Sequence, residues 1–286
     1  MTVGLGDYEL QLNDSGVRLN GGSSTPFVDV DKVSGLDSAQ YRETIRDHEG
    51  ADGGFIDAEF EKGRDIIVEG TVYANISNVE DYLDSLKANF APVRTPIPFY
   101  FKPGTVDERV IFVKPRGVRY DWDTARRLGM TSAQFLMFAE DPRIYTNLLQ
   151  SITVAYGGDT GIGLAFNAGF NVDFGGGATP AGSNVTNSGN RSTPVVFTIT
   201  GPVTNPVILN NTTSNAMRFT IVLAGSDTLT IDTGNRTVYL NTTQNRRNTL
   251  TTPDWFLLSP GVNSITYAGL SGTGSTLNIK FRSAWR

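Results

Sequence analysis

Only one stretch of this 286-residue chain carries a helical period, and most of the rest breaks into short strand-like runs. The helical stretch opens at Ser77, with Glu80 three residues on as a capping box. Val79, Leu83, Leu86 and Phe90 follow at steps of four, three and four, which is one apolar stripe along a helix of about three turns. Pro92, Pro96 and Pro98 end it. A single stripe predicts a helix laid against a sheet face.

Around that helix the first half reads as strands. Residues 8–12 and 27–31 alternate apolar and polar side chains, the period of a half-buried strand. Asp52-Gly53-Gly54 signals a turn. The runs 55–60 and 65–73, separated by Glu61-Lys62-Gly63-Arg64, read as a hairpin. Strands are expected at 98–102 and 109–114, with 116–121 and 133–139 pairing after them. The charged stretch 123–129 reads as an exposed loop.

From residue 151 the composition shifts. Residues 172–191 are rich in Gly, Asn, Ser and Thr and read as a flexible inter-strand loop. No phosphate-loop motif occurs in the chain. Short strands are then expected at 195–200, 206–210, 217–223, 228–232, 237–241, 255–258, 264–268 and 276–281, with Gly, Pro and Asn in the gaps. That spacing predicts a β-sandwich or jelly roll.

Charge divides the chain in the same way. Residues 1–150 hold 16 Lys and Arg against 24 Asp and Glu, a net of −8, whereas residues 151–286 hold 8 against 5, a net of +3. The last Glu is Glu140. Asp141-Pro142-Arg143 lies at the shift, and proline biases its predecessor to extended geometry. Two domains are therefore expected, 1–147 and 148–286. With no Cys and one His, disulfides, thiol nucleophiles, multi-His metal sites and a Ser-His-Asp triad are unsupported. No apolar run approaches membrane-spanning length, the start of the chain shows no signal peptide, and a pI near 5.0 argues against general nucleic-acid binding.

Several segments together resemble a known family. They are residues 196–206, residues 229–233 followed by 236–238, the run from Trp255-Phe256-Leu257-Leu258-Ser259-Pro260-Gly261 on to Ile265, and the closing Phe281-Arg282-Ser283-Ala284-Trp285. In this order they resemble the distal tail proteins of long, non-contractile-tailed bacteriophages. Asp52-Gly53-Gly54 with residues 64–70 resembles that family's N-terminal hairpin, and Asp141-Pro142-Arg143-Ile144-Tyr145 its domain junction.

The resemblance implies a mainly β, two-domain, non-enzymatic assembly protein. Its N-terminal domain would be tail-tube-like and form a hexameric ring around the DNA channel. Its C-terminal domain would be a galectin-like β-sandwich facing outward. The implied location is the virion tail tip, after assembly in the host cytoplasm. The implied partners are further copies of the chain, the tail tube, the hub and tape-measure proteins, and receptor-binding or side-fibre proteins. DNA would only pass through, and no membrane or cofactor is expected.

Other motifs read more plainly. Asp29 to Asp37 superficially matches a calcium loop, but Val33 and Gln40 stand at ligand positions, so a strand-end turn is expected. His48, between Asp47 and Glu49, reads as an exposed loop residue. Asp57, Glu59 and Glu61, spaced by two, are expected on one strand face, as a solvated face or as candidate channel lining that repels DNA phosphates. As paired carboxylates they also raise glycoside hydrolysis, which is not favoured. Tyr239, Trp255, Tyr267 and Trp285 are candidates for a sugar-stacking platform, the basis of an alternative reading as a carbohydrate-binding module or adhesin, although core packing is favoured for Trp255. Asn-x-Thr/Ser triplets at Asn75, Asn184, Asn211, Asn235 and Asn241 read as strand and turn chemistry.

Overall fold

A computed structural model describes residues 4–14, 16–20, 25–37, 40–122, 124–157, 181–272 and 274–286. The chain is mainly β and divides into two compact units, residues 1–147 with 285–286, and residues 148–284.

The first unit is built on an antiparallel sheet. Its strands run in the order Arg18–Leu19, Leu10–Leu12, Ile97–Phe101, Arg109–Tyr120, Met130–Ala139, Arg64–Tyr73, Phe27–Ser34. Alternation sends Ile66, Val68 and Val72 of one strand inward beside Phe135 and Met137 of the next. The helix Val79–Asn89 joins the same core. Its whole stripe is buried, and the Phe90 ring lies 4.8 Å from that of Phe135. Each such side chain contributes about 1.5–3 kcal/mol by leaving water.

Four local expectations change. The helix has no side-chain cap from Ser77 or Asn78. Glu80, the expected partner in the capping box, is instead gripped by Arg126, whose Nε donates at 2.8 Å. The expected separate strands at 109–114 and 116–121 are one strand, Arg109–Tyr120, with a register shift between Pro115 and Gly117. Proline cannot donate to the ladder and Gly117 has φ 118°, so a sequence break became a bulge rather than a turn. The stretch expected as a loop at 123–129 holds a 3-10 helix, Ala125–Leu128, with Asp123 outside the described residues. Asp29 and Asp31 lie within the strand Phe27–Ser34, where the register shifts between Val30 and Lys32.

The larger correction concerns the hairpin. Gly54–Glu61 does not pair with Arg64–Tyr73; it pairs with Tyr41–Asp47 in a separate two-stranded sheet. Arg64–Tyr73 is taken on both edges by Phe27–Ser34 and Met130–Ala139. Burial decides the outcome. Arg64–Tyr73 has an apolar face to cover, whereas Gly54–Glu61 is polar or exposed along both faces.

The second unit has two large antiparallel sheets around one core, with the short pair Val203–Thr204 and Val222–Leu223 beside them. One runs Gln150–Ala155, Thr276–Phe281, Val195–Thr200, Thr228–Asp232, Thr237–Leu240, Gln244–Asn245; the other Ala181–Asn187, Gly261–Ala268, Val207–Asn210, Asn215–Phe219, Leu250–Pro253. Phe197, Ile199, Ile231 and Ile279 of the first sheet meet Ile208, Met217, Phe219 and Ile265 of the second, which makes a β-sandwich. Residues 181–187, expected within the Gly-rich loop, form the strand Ala181–Asn187, while residues 172–180 lie outside the described residues. The expected strand at 255–258 is displaced to Leu250–Pro253, and Leu258 keeps only an isolated bridge to Thr193. Here Phe256 and Leu258 are plugs into the core, and the Phe256 ring sits 5.7 Å from Phe197.

Of the asparagines in the glycosylation-like triplets, Asn184 lies in the strand Ala181–Asn187, whereas Asn211, Asn235 and Asn241 work in turns. Asn241, with φ 50°, accepts from the Thr228 amide and donates to Asp227. Asn235 donates to Asp232, and Asn211 donates to Thr266.

Candidate assembly surfaces

The hairpin of Tyr41–Asp47 and Gly54–Glu61 is exposed on both faces. Residues 41–62 carry three Arg or Lys against seven carboxylates, with His48 in the turn and its ring 5.4 Å from Phe55. Residues directly opposed across an antiparallel pair share a face, so the register sorts the side chains. The pairs Tyr41 with Glu61, Glu43 with Glu59 and Ile45 with Ile56 fall on one face. The pairs Arg42 with Phe60, Thr44 with Ala58 and Arg46 with Phe55 fall on the other.

The three candidate carboxylates therefore do not form one stripe. The register skips Asp57 between Ile56 and Ala58, and this bulge breaks the period of two. Asp57 joins the second face in an ion pair with Arg46. Glu61 is mostly buried beside the Tyr41 hydroxyl (3.4 Å) and Arg286 (3.7 Å). Glu59 remains exposed opposite Glu43. On the second face the Arg42 guanidinium lies 5.6 Å from the centre of the Phe60 ring. Ile45 is 61% and Phe60 58% exposed, which is unusual for side chains of this size.

The main sheet of the first unit adds two concavities. One, of about 370 Å³, is polar and lined by Asp31, Glu69, Arg119, Asp121, Ser132 and Gln134. The other, of about 350 Å³, is apolar and includes Tyr8, Leu10, Val33, Leu36 and Phe101. At the end of the helix, the Arg126 guanidinium stacks 4.0 Å from the centre of the Trp122 ring while it forks Glu80. Among the described residues no group of three or more His, Cys, Asp or Glu could hold a metal ion, and no helix is long and apolar enough to cross a membrane.

The four aromatic candidates do not form a platform. Tyr267 is fully buried, its hydroxyl 2.5 Å from Ser275, and burial pushes its pKa up to about 12. Inward alternation on Gly261–Ala268 explains this, because residue 267 falls on the same face as Ile265. Trp285 belongs to the first unit, where it packs on that core and lies 3.4 Å from the Arg109 guanidinium. Trp255 packs at the margin of the sandwich core under Arg247, at 5.7 Å. Tyr239 is half-buried on the strand Thr237–Leu240, opposite Thr230.

Residues 188–285 match the family model of the siphovirus-type tail component, C-terminal domain. This domain coincides with most of the sandwich, from the end of the strand Ala181–Asn187 onward. Among solved structures, the whole chain is similar to the Dit protein of phage SPP1, described as a paradigm of the hub adsorption apparatus in phages infecting Gram-positive bacteria. The identity is 14%, the match covers 98% of this chain and 100% of that one, and the TM-score is 0.69. It is also similar to chains of the phage p2 baseplate in its activated conformation, solved with Ca and with Sr. Both have 11% identity and a TM-score of 0.53; they cover 95% and 96% of this chain and 97% and 98% of those chains. At these identities the likeness establishes the fold. No curated protein sequence matches the chain. The resemblance to distal tail proteins read from the sequence therefore holds for both the domain and the fold.

Proposed function

We propose that this chain is a non-enzymatic structural part of a phage tail tip. Six copies close a ring that joins the tail tube to the baseplate or host-adsorption apparatus and surrounds the DNA channel. The first unit builds the ring. The sandwich faces outward, where it can hold receptor-binding or side-fibre proteins, while the tube, hub and tape-measure proteins meet the ring itself. The observation that carries this reading is the match of residues 188–285 to the siphovirus tail-component domain. The hairpin supports it, since a two-stranded ribbon exposed on both faces is marginal alone and suits contact with a neighbour.

Ring closure needs head-to-tail contacts, in which one surface of a copy meets a different surface of the next. A net charge of −8 over residues 1–150 suits a conduit, because like charge keeps DNA phosphates from adhering. Gold-labelled antibody against the sandwich tests the placement on intact virions. Label confined to the tail end is expected. Label spread along the tube would make the chain a tube subunit, and no label would remove it from the tail surface.

A further inference from the structure

Trp122 is the most exposed large apolar side chain among the described residues, at 81%. It stands in the turn between Arg109–Tyr120 and Met130–Ala139, and its ring is braced. The buried Arg126 guanidinium lies 4.0 Å from the ring centre and is itself held by Glu80. Leu128, in the same turn, is also strongly exposed, as is Ile76, on the segment that the Ala74–Gly129 hydrogen bond (2.9 Å) ties to it. A rigid Trp among exposed apolar neighbours has the character of an interface anchor. The apolar concavity of about 350 Å³ offers a matching surface. Leu10, Val33, Leu36 and Phe101 line it, and Trp122, Leu128 and Ile76 do not. At its rim Tyr8 is exposed and held at φ 62°, a left-handed backbone that bulky residues rarely adopt. Asn20, also at φ 62°, fixes it by donating from its side chain to the Tyr8 carbonyl at 3.2 Å. Such strain is typical of places where a side chain is set for contact. Charge matches as well. Asp121 precedes Trp122, and Lys32 lines the concavity. Neither has an ion pair among the described residues, whereas the neighbouring Lys102 is met by Asp7 at 2.8 Å.

We propose that Trp122 of one copy seats in the apolar concavity of a second copy of this chain. The ring packs beside Tyr8 and Phe101, where aromatic pairs add to apolar burial. Asp121 comes against Lys32 at the rim. The projection and the concavity are different surfaces of one unit, so the contact is heterologous and continues from copy to copy until a ring closes. A compact unit of this length is about 40 Å across, and six such units touching in a ring leave an opening about one unit wide. The contact therefore keeps a channel that DNA can pass. It rests on the ring reading above and names a pair of surfaces that make the ring.

The test uses the full chain and reads the protein concentration at which assembly is half complete, by sedimentation velocity. Trp122→Ala removes the anchor. Asp121→Lys and Lys32→Glu each put like charges together, and the two combined in one chain restore opposite charges at every contact. All four variants are expected to keep wild-type far-UV circular dichroism, because residues 32, 121 and 122 are exposed. Trp122→Ala and each single charge reversal are expected to need at least about tenfold more protein to assemble. The double reversal is expected to assemble close to the wild-type concentration. Wild-type assembly by Trp122→Ala, or a double reversal no better than the single ones, overturns the proposal while the ring reading stands. A wild-type chain that never forms a closed assembly overturns the ring reading and this contact with it.

Discussion

Tyr267 shows how a single side chain can leave one role for another. Its ring fills the sandwich core, and its hydroxyl meets Ser275, which in turn donates to the Thr200 carbonyl at 2.7 Å. Burial favours the neutral phenol and raises its pKa to about 12, above the value of about 10 in an unfolded chain. Above pH 10 the unfolded chain loses a proton that the folded one keeps, so stability is full below about 10 and falls as the pH rises to about 12. Denaturant titrations of Tyr267→Phe should show a shallower loss across that window, with about 1 kcal/mol lost at neutral pH from the missing hydroxyl partner. Arg126 is a second such case. Its side chain is 6% exposed and forks Glu80, itself 59% exposed. Arg126→Ala should cost about 1–2 kcal/mol by chemical denaturation, with solvent screening on the Glu80 side keeping it at the low end for a buried charged pair. The sequence could not show this fork, because a capping box and a tertiary ion pair call for the same residue at position 80.

Elements with one strongly apolar face were legible and the others were not. The helix Val79–Asn89 and the strands Val195–Thr200, Thr228–Asp232 and Thr276–Phe281 each carry a period that only one structure satisfies. Gly54–Glu61 and Arg64–Tyr73 both alternate and lie close in the chain, so the pattern alone paired them wrongly. What separates them is which neighbour buries the face, and that is settled only in the fold. The skip at Asp57 was hidden for the same reason, since a bulge belongs to a pair of strands rather than to one sequence. Two substitutions test the element-scale account. Leu86→Ala should lower the stability of the first unit by about 2–5 kcal/mol, because the residue is fully buried under the helix. Gly129→Ala should lower it as well. Gly129 has φ 79°, and an added Cβ would stand 2.1 Å from the Ala74 carbonyl oxygen. Equilibrium denaturation followed by Trp fluorescence would measure both.

At the scale of the whole molecule, the charge division of the sequence and the two compact units nearly coincide. The exception is instructive. Trp285 and Arg286 belong to the first unit although the sandwich supplies the chain just before them. No local pattern marks a terminal tryptophan as the neighbour of Arg109, since that contact spans most of the chain. Trp285→Ala should therefore loosen the first unit by about 1–3 kcal/mol, less than a fully buried Trp because this one is only partly buried. Hydrogen exchange should speed up in the strand Arg109–Tyr120 and leave Val195–Thr200 unchanged. The central claim is that copies of this chain close into a ring of defined number. Native mass spectrometry of the purified full-length chain, across a concentration series, tests it most directly. The account predicts a single species at six times the chain mass of 31.0 kDa, with few intermediates. An open ladder of sizes that lengthens with concentration, or a monomer throughout, would contradict it.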